Sequence, residues 1–193
     1  MEWPRPNIAD IVPRRSKIDD VNTPYRSGSI YVVVVGTLLA AMLTAFAVIS
    51  SESFVVPSVA PTIFIIVAFP LSYQAHPRNI LYSTAIAILA GVAALALFNL
   101  IDVPPDLTNL SWARASALVL AFLVAMCGMI AFRALHAPAL ATAMIIAAGL
   151  LKAPGDWLAA FAGVLIVTAA GVAVNRASGK PQALWWRPQP PGE

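Results

Sequence analysis

Charge is what this chain has least of. Asp, Glu, Lys and Arg together make up 11% of its 193 residues, under half of the roughly 25% carried by a water-soluble domain, so it cannot surround itself with a charged, solvated surface. It has one cysteine, which excludes a disulfide framework and a cysteine-based metal centre. That residue, Cys127, lies inside an apolar run and reads as a small hydrophobe. The two histidines have no acidic neighbours at ligand spacing, so neither a metal nor another cofactor is expected. Catalytic signatures are missing too: there is no G-x-S-x-G elbow, no H-E-x-x-H, no phosphate loop and no aspartate pair within an apolar run. No catalytic residue can be named, and the chain does not read as an enzyme. A cleavable leader is not expected either, because the first apolar run starts only near Ile30 and is long enough to span a bilayer.

What is abundant is apolar side chain. The chain is 60% hydrophobic with a mean hydropathy of +0.80, which predicts an integral membrane protein. Five of its twelve Lys and Arg lie in residues 1–28, so the net charge of +3 belongs to flanks and loops. A basic balance of that kind fits a membrane face and gives no reason to expect nucleic acid.

A hydrocarbon core about 30 Å thick takes about 20 apolar residues in a helix. Residues 29–49, 80–100, 115–132 and 157–174 meet that requirement. Residues 54–72 are instead interrupted by Pro57, Pro61 and Pro70, and residues 137–151 are short and open near Pro138. Proline inside a helix removes a hydrogen bond, which hydrocarbon tolerates only where protein or a wet cavity satisfies the freed group. The expected fold is an all-α membrane protein: a polytopic bundle of four long transmembrane helices plus two proline-broken segments, discontinuous or re-entrant. Ser111 and Asp156 are candidate caps for the helices that follow them.

The order is helix, broken segment, helix, twice over. A shift of 80 residues pairs Thr62 with Thr142, Ile65 with Ile145, Ile66 with Ile146 and Ala68 with Ala148. This predicts an internal duplication with halves 29–100 and 113–175, flanked by a polar segment 1–28 and a tail 176–193. Six crossings place ten Lys and Arg on the side of the termini and two, Arg114 and Lys152, on the other; re-entrant segments give nine and three. Both arrangements put the termini in the cytoplasm of a multi-pass cell inner-membrane protein, and the length of residues 54–72 favours six. Arg14, Arg15 and Lys17 in "PRRSK" suit anionic headgroups, Trp185 and Trp186 suit an interfacial anchor, and "RPQPPGE" reads as mobile. Small pairs, Ala87 with Gly91 and Ala159 with Gly163, permit close helix contact within one chain or between copies, and with a chain of only 20.4 kDa a homo-oligomer is expected.

Polar residues near membrane depth are the candidates for function. They are His76 and Arg78 in "AHPRN", Arg133 and His136 in "FRALHAP", and the hydroxyls of Ser58, Thr62 and Thr142. Helix restarts after Pro57 or Pro61 and after Pro138 would present N–H groups and roughly half a positive charge to an anion. With the three hydroxyls nearby, this predicts a midplane site for a small anion or polar solute, with Arg78 and Arg133 attracting it and His136 holding the break and exchanging a proton. His76 and Asn79 are second choices. Each residue also has a plainer role: an arginine that snorkels, a histidine that caps, a threonine that bonds a carbonyl freed by proline. No acidic residue falls inside a predicted span, which argues against a carboxylate cation site.

In "HAPALATA", His136, Pro138, Ala139, Ala141, Thr142 and Ala143 resemble the His-Pro-Pro motif of the HPP family of integral membrane proteins, with Ala137 where the first proline would be. Pro57, Ser58 and Ala60 are similar to the family's Pro-Ser segment, and Pro77, Arg78 and Asn79 to its Pro-Arg-Asn triplet. The resemblance spans about residues 29–175. It implies a membrane domain usually described with four helices and, because some members resemble nitrite transporters of chloroplasts and cyanobacteria, movement of a small anion. No CBS-type regulatory domain is seen. The expected function is a membrane transporter or channel-like permease for a small inorganic anion, nitrite specifically. The alternative is a small non-transporting membrane subunit that scaffolds or anchors a partner complex. Expected partners are the anion, the lipid bilayer, further copies of the chain and a partner membrane protein.

Overall fold

Residues 27–106 and 108–185 are described by a computed structural model of the chain, and every regular element among them is helical. Helices α1 (Ser29–Ser50), α3 (Pro77–Leu97), α4 (Trp112–Ala131) and α6 (Pro154–Ala177) are long and apolar enough to cross a membrane. Helices α2 (Val55–Ala68) and α5 (Pro138–Ala147) have 14 and 10 residues, so at 1.5 Å per residue they reach about 21 and about 15 Å, short of a hydrocarbon core of about 30 Å. A one-turn 3-10 segment, Tyr73–Ala75, joins α2 to α3. This is the helical membrane bundle that hydropathy predicts, four long helices with two short ones. The expectations for "PRRSK", Trp186 and "RPQPPGE" lie outside the described residues.

Helix starts are set by proline and by caps. Pro77, Pro138 and Pro154 open their helices at the first turn, where a missing N–H costs nothing. Ser111 Oγ accepts from the Arg114 N–H at 3.2 Å. The Asp156 carboxylate accepts from the Lys152 and Ala153 N–H groups at 2.7 and 2.9 Å and favours the positive end of α6. Hydropathy places the starts of α3, α4 and α6 three residues late, at 80, 115 and 157, because prolines and capping residues lower the apolar average where they favour the first turn.

The segment with three prolines needs correction. Pro57 is the third residue of α2, and Pro61 lies inside a helix that continues past it. The predicted interruption at those two positions does not occur. An N–H at the third position has no intrahelical partner to lose, so only Pro61 removes a bond. The chain breaks instead at Phe69, with φ −132° and ψ 59°, where Pro70 disfavours the α conformation of the residue before it.

Hydrogen bonds fix the helix directions. The Ser27 N–H donates to Ala68 O, Asn175 Nδ2 to Ile66 O, and the Arg78 guanidinium to Phe132 and Arg133 carbonyls. The starts of α1, α3 and α5 therefore share one end of the bundle with the finishes of α2, α4 and α6. Arg114 at the start of α4 bonds carbonyls of Val103 and Pro104, after α3, and of Ala147 in the last turn of α5, at the opposite end. The six helices alternate in direction. Among the described residues Glu52, Asp102, Asp106 and Asp156 all lie at that far end, with Arg114 and Lys152; the end nearer the termini holds Arg78, Arg133, Arg176 and Lys180 and no acid.

Inside the bundle α3 lies against α5, and α6 against α2. At each crossing a glycine meets an isoleucine. A Cβ on Gly91 would sit 2.8 Å from both Ala143 O and Ile146 Cβ, and a Cβ on Gly171 would sit 2.7 Å from Ile66 Cγ2. Residues 91 and 171, like 66 and 146, are 80 apart, so moving each member of one contact by that interval, one forward and one back, gives the other. Their costs should differ. Alanine at 91 meets backbone and must push two helices apart, a strain of about 1 to 3 kcal/mol. Alanine at 171 meets one methyl group, and its better helix propensity, worth about 1 kcal/mol, offsets most of that. Thermal unfolding in detergent is expected to show Gly91→Ala clearly destabilised and Gly171→Ala close to the native chain.

Candidate functional site

The polar interior of the bundle is organised around His136. The link after α4 carries it inward, where it is 1% exposed. Its Nδ1 lies 2.8 Å from Gln74 O, and its Nε2 lies 2.8 Å from Thr62 Oγ1. A carbonyl only accepts, so Nδ1 carries the proton, and a neutral ring is left with Nε2 to accept from the Thr62 hydroxyl. One imidazole thus ties the third turn of α2 to the entrance of α5 and to the 3-10 turn.

Gln74 reinforces that tie, because its Oε1 accepts from the Ala137 N–H at 2.9 Å. At the start of α5, Pro138 has no N–H, the Ala139 N–H donates to His136 O at 3.1 Å and the Leu140 N–H to Ala137 O at 3.0 Å. At the start of α2, Val55 and Val56 N–H groups donate to Glu52 and Ser53 carbonyls, both at 3.2 Å. The donors after Pro138 that the sequence offers to an anion are thus already bonded to protein, and the restart expected after Pro57 or Pro61 does not exist, since α2 starts at Val55 with its first donors bonded too.

Arg78 and Asn79 form a second cluster beside the first. Asn79 is fully buried and donates from Nδ2 to Tyr73 O at 2.7 Å. Arg78 donates from Nη1 to Asn79 Oδ1 at 3.1 Å and Arg133 O at 3.0 Å, and from Nη2 to Phe132 O at 3.3 Å, with its guanidinium 5.0 Å over the Tyr82 ring. The Tyr73 hydroxyl also donates to Arg133 O. The chain at Arg133 turns through φ +48°, and the Ala134 N–H reaches back to Met129 O at 2.9 Å, the wrap that closes a helix C-terminus. Arg78 is therefore a cationic cap on the negative end of α4. Arg133 takes part through its carbonyl, while its side chain is exposed.

The structure brings Thr62 and His136 into contact and joins Arg78, Asn79 and the Arg133 backbone to them through residues 73–75. It does not bring in Ser58, whose hydroxyl donates to Val55 O of its own helix at 2.9 Å. Thr142 is buried on α5 outside this chain of bonds, and His76 is buried with its ring 5.8 Å from that of Tyr73. Pro138, and with it Pro77, whose place after the three-proline segment also suits a structural break, opens a helix, whereas Pro57 and Pro61 do not interrupt one.

Sequence reasoning missed several groups. Gln74 and Tyr73 carry no local signal. Arg114 reads as an outer flank yet is 3% exposed, with Nη2 3.0 Å from Val103 O and 3.3 Å from Pro104 O, and Nη1 3.4 Å from Ala147 O. Asn175 is fully buried and donates from Nδ2 to Ile66 O, while its Oδ1 accepts from the Tyr31 hydroxyl at 2.8 Å; a lone Asn within an apolar helix was the signal available. The Thr168 hydroxyl is buried on α6 without a hydrogen-bond partner, an unusual state for a group whose desolvation costs about 1 to 3 kcal/mol.

At the far end Glu52 is held above the usual carboxylate range, first by burial and then by a hydrogen bond and charge from Asp156. Among the described residues no three of His, Cys, Asp and Glu gather as metal ligands would. Two apolar grooves, of about 430 Å³ between α1 and α2 and about 400 Å³ between α3 and α6, have neither Thr62 nor His136 in their walls.

A protein-family profile described as HPP, transmembrane region, matches residues 22–183. That range exceeds the motif-bearing stretch at both ends and includes the chain beyond α6 as far as Ala183. No curated protein and no solved structure matches the chain.

Proposed function

The chain belongs to the HPP family of transmembrane proteins, and from that premise we propose that it is a permease for a small inorganic anion, with nitrite as the specific substrate. The carrying observation is the buried hydrogen bond from Thr62, on the short helix α2, to His136, on the link two residues before the short helix α5. A buried polar pair in so apolar a bundle is costly, which supports a role in meeting a solute. In this reading the anion meets the Thr62 hydroxyl and His136 Nε2, not free helix N–H groups. The neutral ring takes a proton at Nε2 as the anion arrives, so proton and anion cross as a neutral pair. Arg78 acts by holding α4 and the 73–75 turn in place, which replaces its expected role as an attractor at the mouth.

The reciprocal Gly91–Ile146 and Gly171–Ile66 contacts, with helices of alternating direction, support two inverted three-helix halves, α1 to α3 and α4 to α6, related by duplication. Rocking of one half against the other would expose His136 to each side in turn. The concentration of Arg and Lys at the end nearer the termini supports cytoplasmic termini in a cell inner membrane.

The test is flux into proteoliposomes containing the purified chain, with nitrite, nitrate, formate and bicarbonate supplied in turn under a pH gradient. Nitrite uptake accelerated by acid on the supply side is expected. Leakage equal to that of empty liposomes for all four anions would overturn the permease reading.

A further inference from the structure

The 3-10 turn that holds His136 presents three successive carbonyls, and each accepts from a side chain belonging to a different part of the chain. Tyr73 O takes Asn79 Nδ2 from α3, Gln74 O takes His136 Nδ1 from the α5 entrance, and Ala75 O takes Gln182 Nε2 at 3.1 Å from the segment after α6. That third donor has no part in the site described above. Gln182 is 3% exposed although it lies beyond the last helix, and its Oε1 accepts from Asn175 Nδ2 at 2.9 Å. Asn175 in turn holds Ile66 O, in the last turns of α2.

The segment is built to return. Gly179, at φ +69°, ends α6, and the Lys180 N–H closes back on Asn175 O at 2.8 Å, a turn that favours glycine. Arg176 Nη1 then donates to Gln182 O at 3.3 Å, Ala183 is buried, and Trp185 O accepts from the Arg78 N–H at 3.1 Å, with the Trp185 ring against Tyr82. That N–H belongs to the first turn of α3 and would otherwise lack a partner.

We propose that residues 178–185 form the third wall of the His136 site, with Gln182 as a positioning residue that acts through the 73–75 turn. Loss of the Gln182–Ala75 bond frees that turn, and with it the acceptor that fixes the proton on His136 Nδ1. Tail release and rearrangement at Thr62–His136 are then one coupled event at the end nearer the termini. The coupling rests on the site's geometry; its use in gating rests on the permease reading.

Only two histidines are present, so imidazole ¹⁵N and ¹H resonances of the histidine-labelled full chain in nanodiscs report His136 directly, with His76 as an internal comparison. Gln182→Met removes both side-chain bonds at nearly constant volume. Gln182→Glu, when ionised, keeps the acceptor for Asn175 but cannot donate to Ala75 O. Both are expected to speed solvent exchange of the His136 Nδ1 proton by roughly tenfold or more while the His76 signals stay in place. If Gln182→Met fails to fold, Gln182→Glu decides alone. Native exchange at His136 in the folded variant would overturn the proposal, as would equal acceleration at both histidines, which marks general loosening. An absence of nitrite flux in the native chain would sink the permease reading and leave this measurement able to decide the coupling.

Discussion

An Arg114→Met chain is expected to unfold with about 3 kcal/mol less stability than the native chain and to give a much smaller folded yield. The guanidinium is buried at the far end of the bundle, and each of its contacts is a backbone carbonyl: Val103 and Pro104 after α3 and Ala147 at the finish of α5. Hydrogen bonds to a charged donor contribute about 1.5 to 3 kcal/mol each, and deleting the donor removes all three and strands the carbonyl of Ala147, which is buried, while Val103 and Pro104 lie at an exposed loop. Gly149 shows how closely the site is fitted, since at φ +82° a Cβ there would lie 2.9 Å from Arg114 Nη1. Lysine keeps the charge but lacks the planar fork that reaches both the loop and α5, so Arg114→Lys should fall between methionine and native. Lys152→Ala, at the same end, should stay within about 0.5 kcal/mol of native. Thermal unfolding in detergent checks the series, and native stability for Arg114→Met would remove Arg114 from the architecture.

Arg114 also shows what the sequence could not tell. The four long helices were legible because each is a run of apolar residues as long as the bilayer core is thick, a property counted locally. The buried state of Arg114 depends on Val103 and Ala147, 11 and 33 residues away in sequence, and no local pattern links them. His136 stood out as a histidine beside a proline within an apolar region, and Thr62 as one of a matched pair of threonines. Their partnership across 74 residues is a product of packing. Arg78 is the reverse case: its chemistry was legible, but its target was not, because the carbonyls it caps become acceptors only once α4 ends at Phe132. Proline misled in one direction only. Pro57 looks like a break in a string of letters, but as the third residue of α2, where a helix has no N–H bond to lose, it sits in the first turn without interrupting it.

Those placements separate two variants that the sequence alone would treat alike. His136→Ala and Arg78→Ala should both reduce nitrite flux to the level of empty liposomes, but for different reasons. Removing the imidazole costs the Thr62 and Gln74 bonds, about 1 kcal/mol each in net stability, and takes away the ring nitrogen that faces Thr62 and could accept a proton. Removing the Arg78 guanidinium uncaps the end of α4 and frees the turn that carries Gln74, so flux should be lost together with thermal stability and with Asn79 packing. His136→Gln isolates the chemistry. Glutamine can donate to Gln74 O and accept from the Thr62 hydroxyl, so the fold should hold, yet it takes up no proton near neutral pH. If proton and anion travel as a pair, His136→Gln carries no nitrite under a pH gradient although its unfolding temperature is close to native. Flux at the native rate in His136→Gln would show that the ring serves only to join α2 to α5. Thr62→Val completes the series: it removes one bond and leaves the ring able to ionise, so flux should fall roughly tenfold, the equivalent of about 1.4 kcal/mol, while its acceleration by a pH gradient persists.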